Sequence, residues 1–445
     1  MAEMGRSPAP GSLTNHGGRC PRRRAPCLAG ASMLAAFALM PALVPERTEL
    51  RAQVDYAASV DVVVTESETA HTPLGWRVDS EPDLVIGAGE SLDGLLFDVQ
   101  GVRAMPDSTI LVVDGGSAEL RFFDGHGERT AVSGGEGRGP GEFLAPVLVP
   151  SPGQDSLVLF DRRLGRFQVF LSGGSFVRTI TAGPDGWPQR ARPPIGIVSE
   201  QALFRRVDGL ERALASGPGL KTLTYTYYWY DIGSYHRRQL TSFSRRWQYS
   251  DAWGTGPLPF SATPSAAVLP TGALVTDGAR PEILEFDLSG ELRRVFRVDG
   301  RRRPVTPDMI ESAIDQEARS LPQVSRGQVA RRFDDMPLPD SLPPVVSLIA
   351  DSEGYVWAKR FSPDPARDNE WVVYDLSSGR ALGTVGTPPG LDVRYIGRDF
   401  VLGLWKDEFD VEYVRRHPLA RSLLHEGGGA GSLPAARPPG NDGPA

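Results

Sequence analysis

Cysteine is almost missing from this chain. Only Cys20 and Cys27 carry thiols in 445 residues. Both precede the region that reads as folded, which excludes a disulfide framework and thiol chemistry there. Histidine is scarce too: His16, His71, His126, His236, His417 and His425 are the whole set. No two of them stand at HxH or HExxH spacing, so no recognisable zinc motif exists. No GxSxG is present and no Gly-Lys-Ser/Thr follows a glycine-rich loop, which removes the nucleophile elbow and the P-loop. A basic surplus is also lacking. The net charge of -7 argues against a nucleic-acid partner, which would favour a basic face.

Long apolar runs are lacking as well, with one exception. Arg22, Arg23 and Arg24 precede an uncharged stretch from Ala25 to Val44. A basic segment followed by an apolar one is the pattern of a secretory signal. The run is also long enough to stay as a single membrane anchor, and Pro26 and Pro41 favour the signal by shortening any helix. The paired arginines hint at twin-arginine export. The expectation is residues 1–52 as leader plus signal or anchor, and an exported product in the periplasm, at the cell surface or outside the cell. The membrane is reached only through that anchor.

Turn residues, by contrast, are abundant: Gly 50 and Pro 39. They punctuate a repeating pattern. One copy runs from Val102 to Val132, with strands separated at Pro106-Asp107, at Asp114-Gly115-Gly116 and at Gly125 and Gly127. Others run from Val147 to Ile180, from Ala267 to Phe296 and, more loosely, from Val346 to Val385. Four short strands recurring about every 45 residues is how a propeller blade reads. A blade buries its faces only against neighbours, so the repeats imply one continuous core. The predicted fold is all-β, a single β-propeller over residues 70–424 made of four-stranded antiparallel sheets. Six blades fit best, with seven as the alternative. Residues 181–265 should hold a further blade around Leu223 to Ser234. Residues 306–320 (TPDMIESAIDQEARS) read as one short inserted helix, with Thr306 as cap and Pro307 in the first turn. The Pro-rich remainder of the insertion to 344 reads as loop, and 425–445 as a disordered tail.

Several segments carry a resemblance. They are Trp76-Arg77-Val78 with PDLVIGAGE, ILVVDGGSAELRFFDGHGE, the loop GGEGRGPGEF (Gly134 to Phe143), and FVLGLWKDEFDVEYVRRHPL (Phe400 to Leu419). Together they resemble a family of bacterial six-bladed β-propeller proteins, distantly similar to the NHL-repeat propellers. The resemblance implies the fold and export, and little about chemistry.

Three groups of residues are candidates for function. In the Gly-rich loop, Gly137, Gly139 and Gly141 should supply positive φ, Pro140 should stiffen it, and Glu142 should accept backbone hydrogen bonds. The reading is a structural crossing between blades, because a strand and not a helix follows. Asp114, Asp161, Asp231 and Asp277 occupy similar places, each after an apolar strand. They either cap their own turns or converge on a divalent cation, with calcium as the hard-oxygen choice. Asp124, Asp287 and Asp375, each before a Gly turn, read as hairpin residues. The third group is the densest aromatic stretch, from Tyr225 to Trp247. Its residues Tyr228, Trp229, Tyr230, Tyr235, Arg237 and Arg238 are the candidate ligand platform, with arginines interleaved among aromatic faces. Two functions stay open. One is a monomeric binding or scaffold propeller for a protein, peptide or carbohydrate, without a cofactor. The other is a calcium-dependent hydrolase or lyase, such as a lactonase, using the Asp set. The region that breaks the repeat, Tyr225 to Trp247 with the insertion from Thr306 to Pro344, is where a ligand should rest.

Overall fold

The structure is a computed structural model that describes residues 61–65, 67–88, 94–153, 155–181, 192–298, 302–364 and 369–421. The signal or anchor over 1–52 and the tail over 425–445 lie outside the described residues. The first described strand, Asp61–Thr65, begins before the expected start at residue 70.

The protein is all-β, built from several antiparallel sheets. Among the described residues they number six. Sheet I comprises Val99–Ala104, Ile110–Asp114, Glu119–Phe123 and Arg129–Gly134. Sheet II comprises Pro146–Val149, Leu157–Asp161, Arg166–Phe170 and Phe176–Ile180. Sheet III runs over residues 196–257, sheet IV over 265–298, sheet V over 347–386 and sheet VI over 392–420. Sheets I, II and V have the expected four strands, and III, IV and VI have five. The fifth strands come from an extra hairpin strand, Gly254–Pro257, in sheet III and from the N-terminal segment in sheets IV and VI.

The second strands explain the core. Ile110–Asp114, Leu157–Asp161 and Gly272–Thr276 are buried at every position. An uninterrupted apolar strand has no solvent face, so both its faces must be covered. Apolar clusters between neighbouring sheets provide the cover. Val113 and Phe122 of sheet I meet Leu148, Leu159 and Phe170 of sheet II. Phe160 and Phe167 of sheet II meet Phe204 and Tyr228 of sheet III. Leu203 and Trp229 of sheet III meet Val268 and Ala273 of sheet IV. Leu274 and Phe296 of sheet IV meet Val356 and Tyr374 of sheet V. Trp357 and Trp371 of sheet V meet Val393 and Val401 of sheet VI. Finally Leu402 and Val414 of sheet VI meet Val102 and Val112 of sheet I. The fourth strands of sheets I and II are instead mostly exposed.

Turn chemistry sets the register. The hairpins into the fourth strand end on glycines in the left-handed region: Gly127, Gly174, Gly290 and Gly379. Just before each turn the ladder shifts by a bulge, at Phe122/Phe123, Val169/Phe170, Glu285/Phe286 and Val373/Tyr374. This is the turn-plus-bulge hairpin, which re-aims the fourth strand. The N-terminal segment then threads along the sheets. Asp61–Thr65 pairs in parallel with Leu292–Val298 of sheet IV. Thr72 and Leu74 exchange backbone bonds with Thr384 of sheet V. Arg77–Val78 and Leu84–Ile86 both pair with Glu412–Ala420 of sheet VI.

The insertion differs from expectation. It holds two helices, Pro307–Ser320 and Arg326–Asp335. The second falls where loop was expected. A reciprocal Ser325–Gln328 capping box starts it, and Val329 and Phe333 pack on Ile314 of the first. A cap plus an apolar stripe outweighs the flanking prolines. A further helix, Leu210–Ala215, joins the second and third strands of sheet III. Among the described residues no helix is long and apolar enough to cross a membrane.

Candidate functional site

The expected aromatic platform is largely core. Tyr228, Trp229 and Tyr230 are buried, Trp229 to 1% exposure. Trp229 Nε1 donates to the Asp287 carbonyl at 2.9 Å. Tyr228 stacks on Phe204, and Tyr230 meets the same ring edge-on. Burial pushes the Tyr228 hydroxyl up to about 12. Alternation would leave half of this strand outside if only one face of the sheet were covered. It does not, because Gly219–Asp231 lies inside a five-stranded sheet with neighbouring sheets on its faces. Tyr235 is half exposed at φ 62, and Arg237 and Arg238 are exposed beside it. Arg238 donates to the Ser289 carbonyl. The side chains of Arg246 and Trp247 lie outside the described residues.

The four aspartates are turn residues. Asp114 Oδ1 accepts the Ser117 N–H at 3.0 Å and Oδ2 the Phe97 N–H at 3.0 Å, with Arg121 beside it at 3.3 Å. Asp161 takes the N–H groups of Arg163, Leu164 and Leu144. Asp277 takes those of Ala279 and Arg280, and pairs with Arg245 and Arg280 at 3.1 and 2.9 Å. Asp231 is a different case. It ends the third strand of its sheet, where Gly233 and Ser234 donate to it. It therefore matches Asp124, Asp287 and Asp375 rather than Asp114. Sequence spacing alone could not separate the two positions, because the helix Leu210–Ala215 displaces the strand count. Among the described residues no group of three or more His, Cys, Asp or Glu side chains could hold a metal ion.

The Gly-rich loop is clamped from below. Arg166 donates to the carbonyls of Arg138, Gly139 and Glu142 at 2.9, 2.7 and 2.9 Å. Gln168 accepts the Gly141 N–H at 2.7 Å and donates to the Glu142 carbonyl at 2.5 Å. Glu142 Oε2 accepts the Gly139 N–H at 2.8 Å, as expected of that carboxylate. Phe143 closes the loop by burying its ring between sheets I and II. Of the three glycines assigned positive φ, only Gly141 has it, at 80°. Gly137 and Gly139 instead leave room for Glu142: a Cβ there would lie 2.0 and 3.0 Å from Oε2, the movable end of that side chain.

The insertion does meet the long hairpin of sheet III, at the end opposite Tyr235. The strand Arg237–Asp251 has 15 residues, so its ends stand roughly 45 Å apart along the chain. At the far end a cleft of about 360 Å³ opens between the turn 249–253 and the helix Arg326–Asp335. Trp253 stands in it at 43% exposure. The Arg332 guanidinium lies over this indole, 5.1 Å from the ring centroid. Arg332 also pairs with Asp251 at 2.5 Å and with Glu317, which fixes the helix on the hairpin. Tyr249 donates to the Asp335 carbonyl at 3.3 Å. Among the described residues Arg331 reaches only its own helix, at Gly327 O, which leaves further guanidinium donors for a guest. The Asp335 carboxylate is exposed. The cleft thus offers an aromatic face, a cation and an anion within one concavity. Sequence reasoning named the insertion and missed Trp253. The signal was a tryptophan at a hairpin tip, Asp251-Ala252-Trp253-Gly254, where folding asks only for turn residues.

No family model matches the chain, and no curated protein matches it. Solved structures do resemble it. A member of the DUF4221 family from Bacteroides vulgatus is 10% identical, with a TM-score of 0.48, covering 78% of this chain and 99% of that one. A candidate exported protein from Bacteroides fragilis is 11% identical, with a TM-score of 0.41, over 82% and 100% of the two chains. Regucalcin, a calcium-binding protein from Agrobacterium tumefaciens, is 10% identical, with a TM-score of 0.32, over 81% and 96%.

Proposed function

We propose that this chain is an exported six-bladed β-propeller that binds a peptide, protein segment or carbohydrate in the cleft beside Trp253. The apolar clusters that run from sheet I to sheet VI and back to sheet I support six blades in a ring. The N-terminal strands on Glu412–Ala420 support closure, since the last blade then takes strands from both ends of the propeller. Export rests on Arg22 to Arg24 ahead of the apolar run.

One observation carries the binding reading: a half-exposed indole held beside Arg331, Arg332 and Asp335 in a cleft that the repeat does not require. An aromatic face with charged groups at its edge suits a sugar ring or an apolar side chain flanked by polar groups. Carboxylates that cap turns are already accounted for by folding, so they lend the lactonase-like alternative no support.

Calorimetric titration of the protein with a glycan panel and a peptide panel tests this. Saturable binding that Trp253→Ala and Arg331→Ala both abolish is the expected result. A ligand whose affinity neither substitution alters would refute the site.

A further inference from the structure

We propose that a second cleft, between the helix Leu210–Ala215 and the start of the strand Gly219–Asp231, binds an oxyanion: a phosphate, sulfate or carboxylate group. This goes beyond the Trp253 site and does not depend on it. The cleft measures about 380 Å³, and Arg212, Ser216, Lys221, Thr222 and Thr224 line it. Lys221 is 3% exposed. Its ammonium donates to Ser216 Oγ at 2.8 Å and to the Gly217 carbonyl. Both acceptors are neutral. Among the described residues no carboxylate pairs with this ammonium, although a buried charge ordinarily requires a partner of opposite sign. An ammonium has three donors, and two are used.

Arg212 adds a second positive charge to the same cleft. Among the described residues its guanidinium has neither an ion pair nor a hydrogen bond, and it is exposed. Asp208 is the cleft's carboxylate, and Arg206 holds it at 2.9 Å. Among the described residues, then, two cations without an ion-pair partner share a concavity with three hydroxyl side chains and a carboxylate that Arg206 already holds.

Helix capping explains part of this. Lys221 reaches the C-terminal end of the helix, where a cation is favourable. Capping does not explain Arg212 in the same cleft, nor why a buried cation should do what a neutral donor could. An incoming oxyanion would supply the missing charge and accept the third Lys221 donor, the Arg212 fork and nearby hydroxyls. Charge-assisted bonds of this kind are the strong ones.

Calorimetric titration at constant ionic strength tests the inference, with inorganic phosphate, sulfate and acetate as probes and chloride as control. Saturable binding of at least one oxyanion is expected, weakened about tenfold by Arg212→Gln and abolished by Lys221→Met. Preference for phosphate over acetate would identify a phosphoryl ligand, and the reverse a carboxylate; both outcomes support the site. Arg212 is on the surface, so its variant keeps the test valid if Lys221→Met fails to fold. Trp253→Ala should leave oxyanion binding unchanged, which separates this site from the other cleft. No saturable binding, or equal binding in wild type and Arg212→Gln, would overturn the proposal.

Discussion

Sheets I and II and sheet III obey one plan and depart from it differently. In sheets I and II the polar groups that recur have partners that folding itself demands. Asp114 and Asp161 hold their turns, and Arg166 and Gln168 hold the crossing loop. Sheet III has longer strands, an extra hairpin strand, a helix between its strands, and the paired helices of the insertion against its tip. There the polar and aromatic groups exceed what the fold uses. Trp253, Arg331, Arg212 and Lys221 all belong to this surplus. The difference teaches that recurrence marks structure and that departure from it marks where a site can be built.

The sharpest way to break this comparison uses two tryptophans of one sheet. Trp229 is buried and bonded to Asp287 O. Trp229→Ala should lower stability by about 3–5 kcal/mol, through the lost ring and the cavity left behind. Denaturant unfolding measures it. A loss under about 1 kcal/mol would mean that the strand is not packed on both faces.

Smaller effects separate the glycines of the crossing loop. Gly141→Ala forces a Cβ at φ 80 and should cost about 1–2 kcal/mol. Gly139→Ala should cost less, because its conflict is with a carboxylate that can swing away. Equal melting temperatures for the two variants would contradict the assignment of different roles.

This pair also measures how far the sequence could be read. The sheets were legible because each second strand is an apolar run between turn residues, as in ILVVDGG and LVLFDRR. The loop's structural role followed from its having no helix after it. What stayed hidden depends on three-dimensional neighbours. Periodicity places Trp229 on a strand without saying that a sheet covers each face. Spacing cannot show that Glu142 folds back onto Gly137, or that Asp231 ends a third strand. The cleft itself joins residue 253 to residue 331, and no local pattern encodes that meeting.

Acid should distinguish the hairpin turns next. Burial raises the Asp287 carboxyl, but bonds from Ser289, the Glu291 N–H and Arg293 outweigh it and hold it at about 2, against 3.8 unperturbed. Its folded value is therefore depressed. The unfolded chain takes up the proton first as pH falls, so this turn's contribution is full above about pH 4 and disappears as pH drops toward 2. Asp124, Asp231 and Asp375 are shifted the same way. Asp287→Asn should flatten the loss of stability across that window, read by urea unfolding at stepped pH. An unchanged slope would mean that the turn carboxylate contributes nothing to acid sensitivity.

The smallest effect on stability belongs to Trp253→Ala, and its smallness is the point. The indole sits at a turn, half in solvent, touching Arg332 more than any core. Arg332 would keep Asp251 and Glu317 after the ring is gone, so the helix stays docked. Surface changes of this kind fall within about 0.5 kcal/mol, against several for Trp229→Ala. A protein that tolerates the loss of so large an apolar side chain gains nothing in folding from keeping it exposed. If the variant melts like the wild type and no longer binds the ligand, the indole's role is recognition. Should it unfold as readily as Trp229→Ala, the tryptophan is a structural clasp between hairpin and insertion, and the cleft loses its main argument.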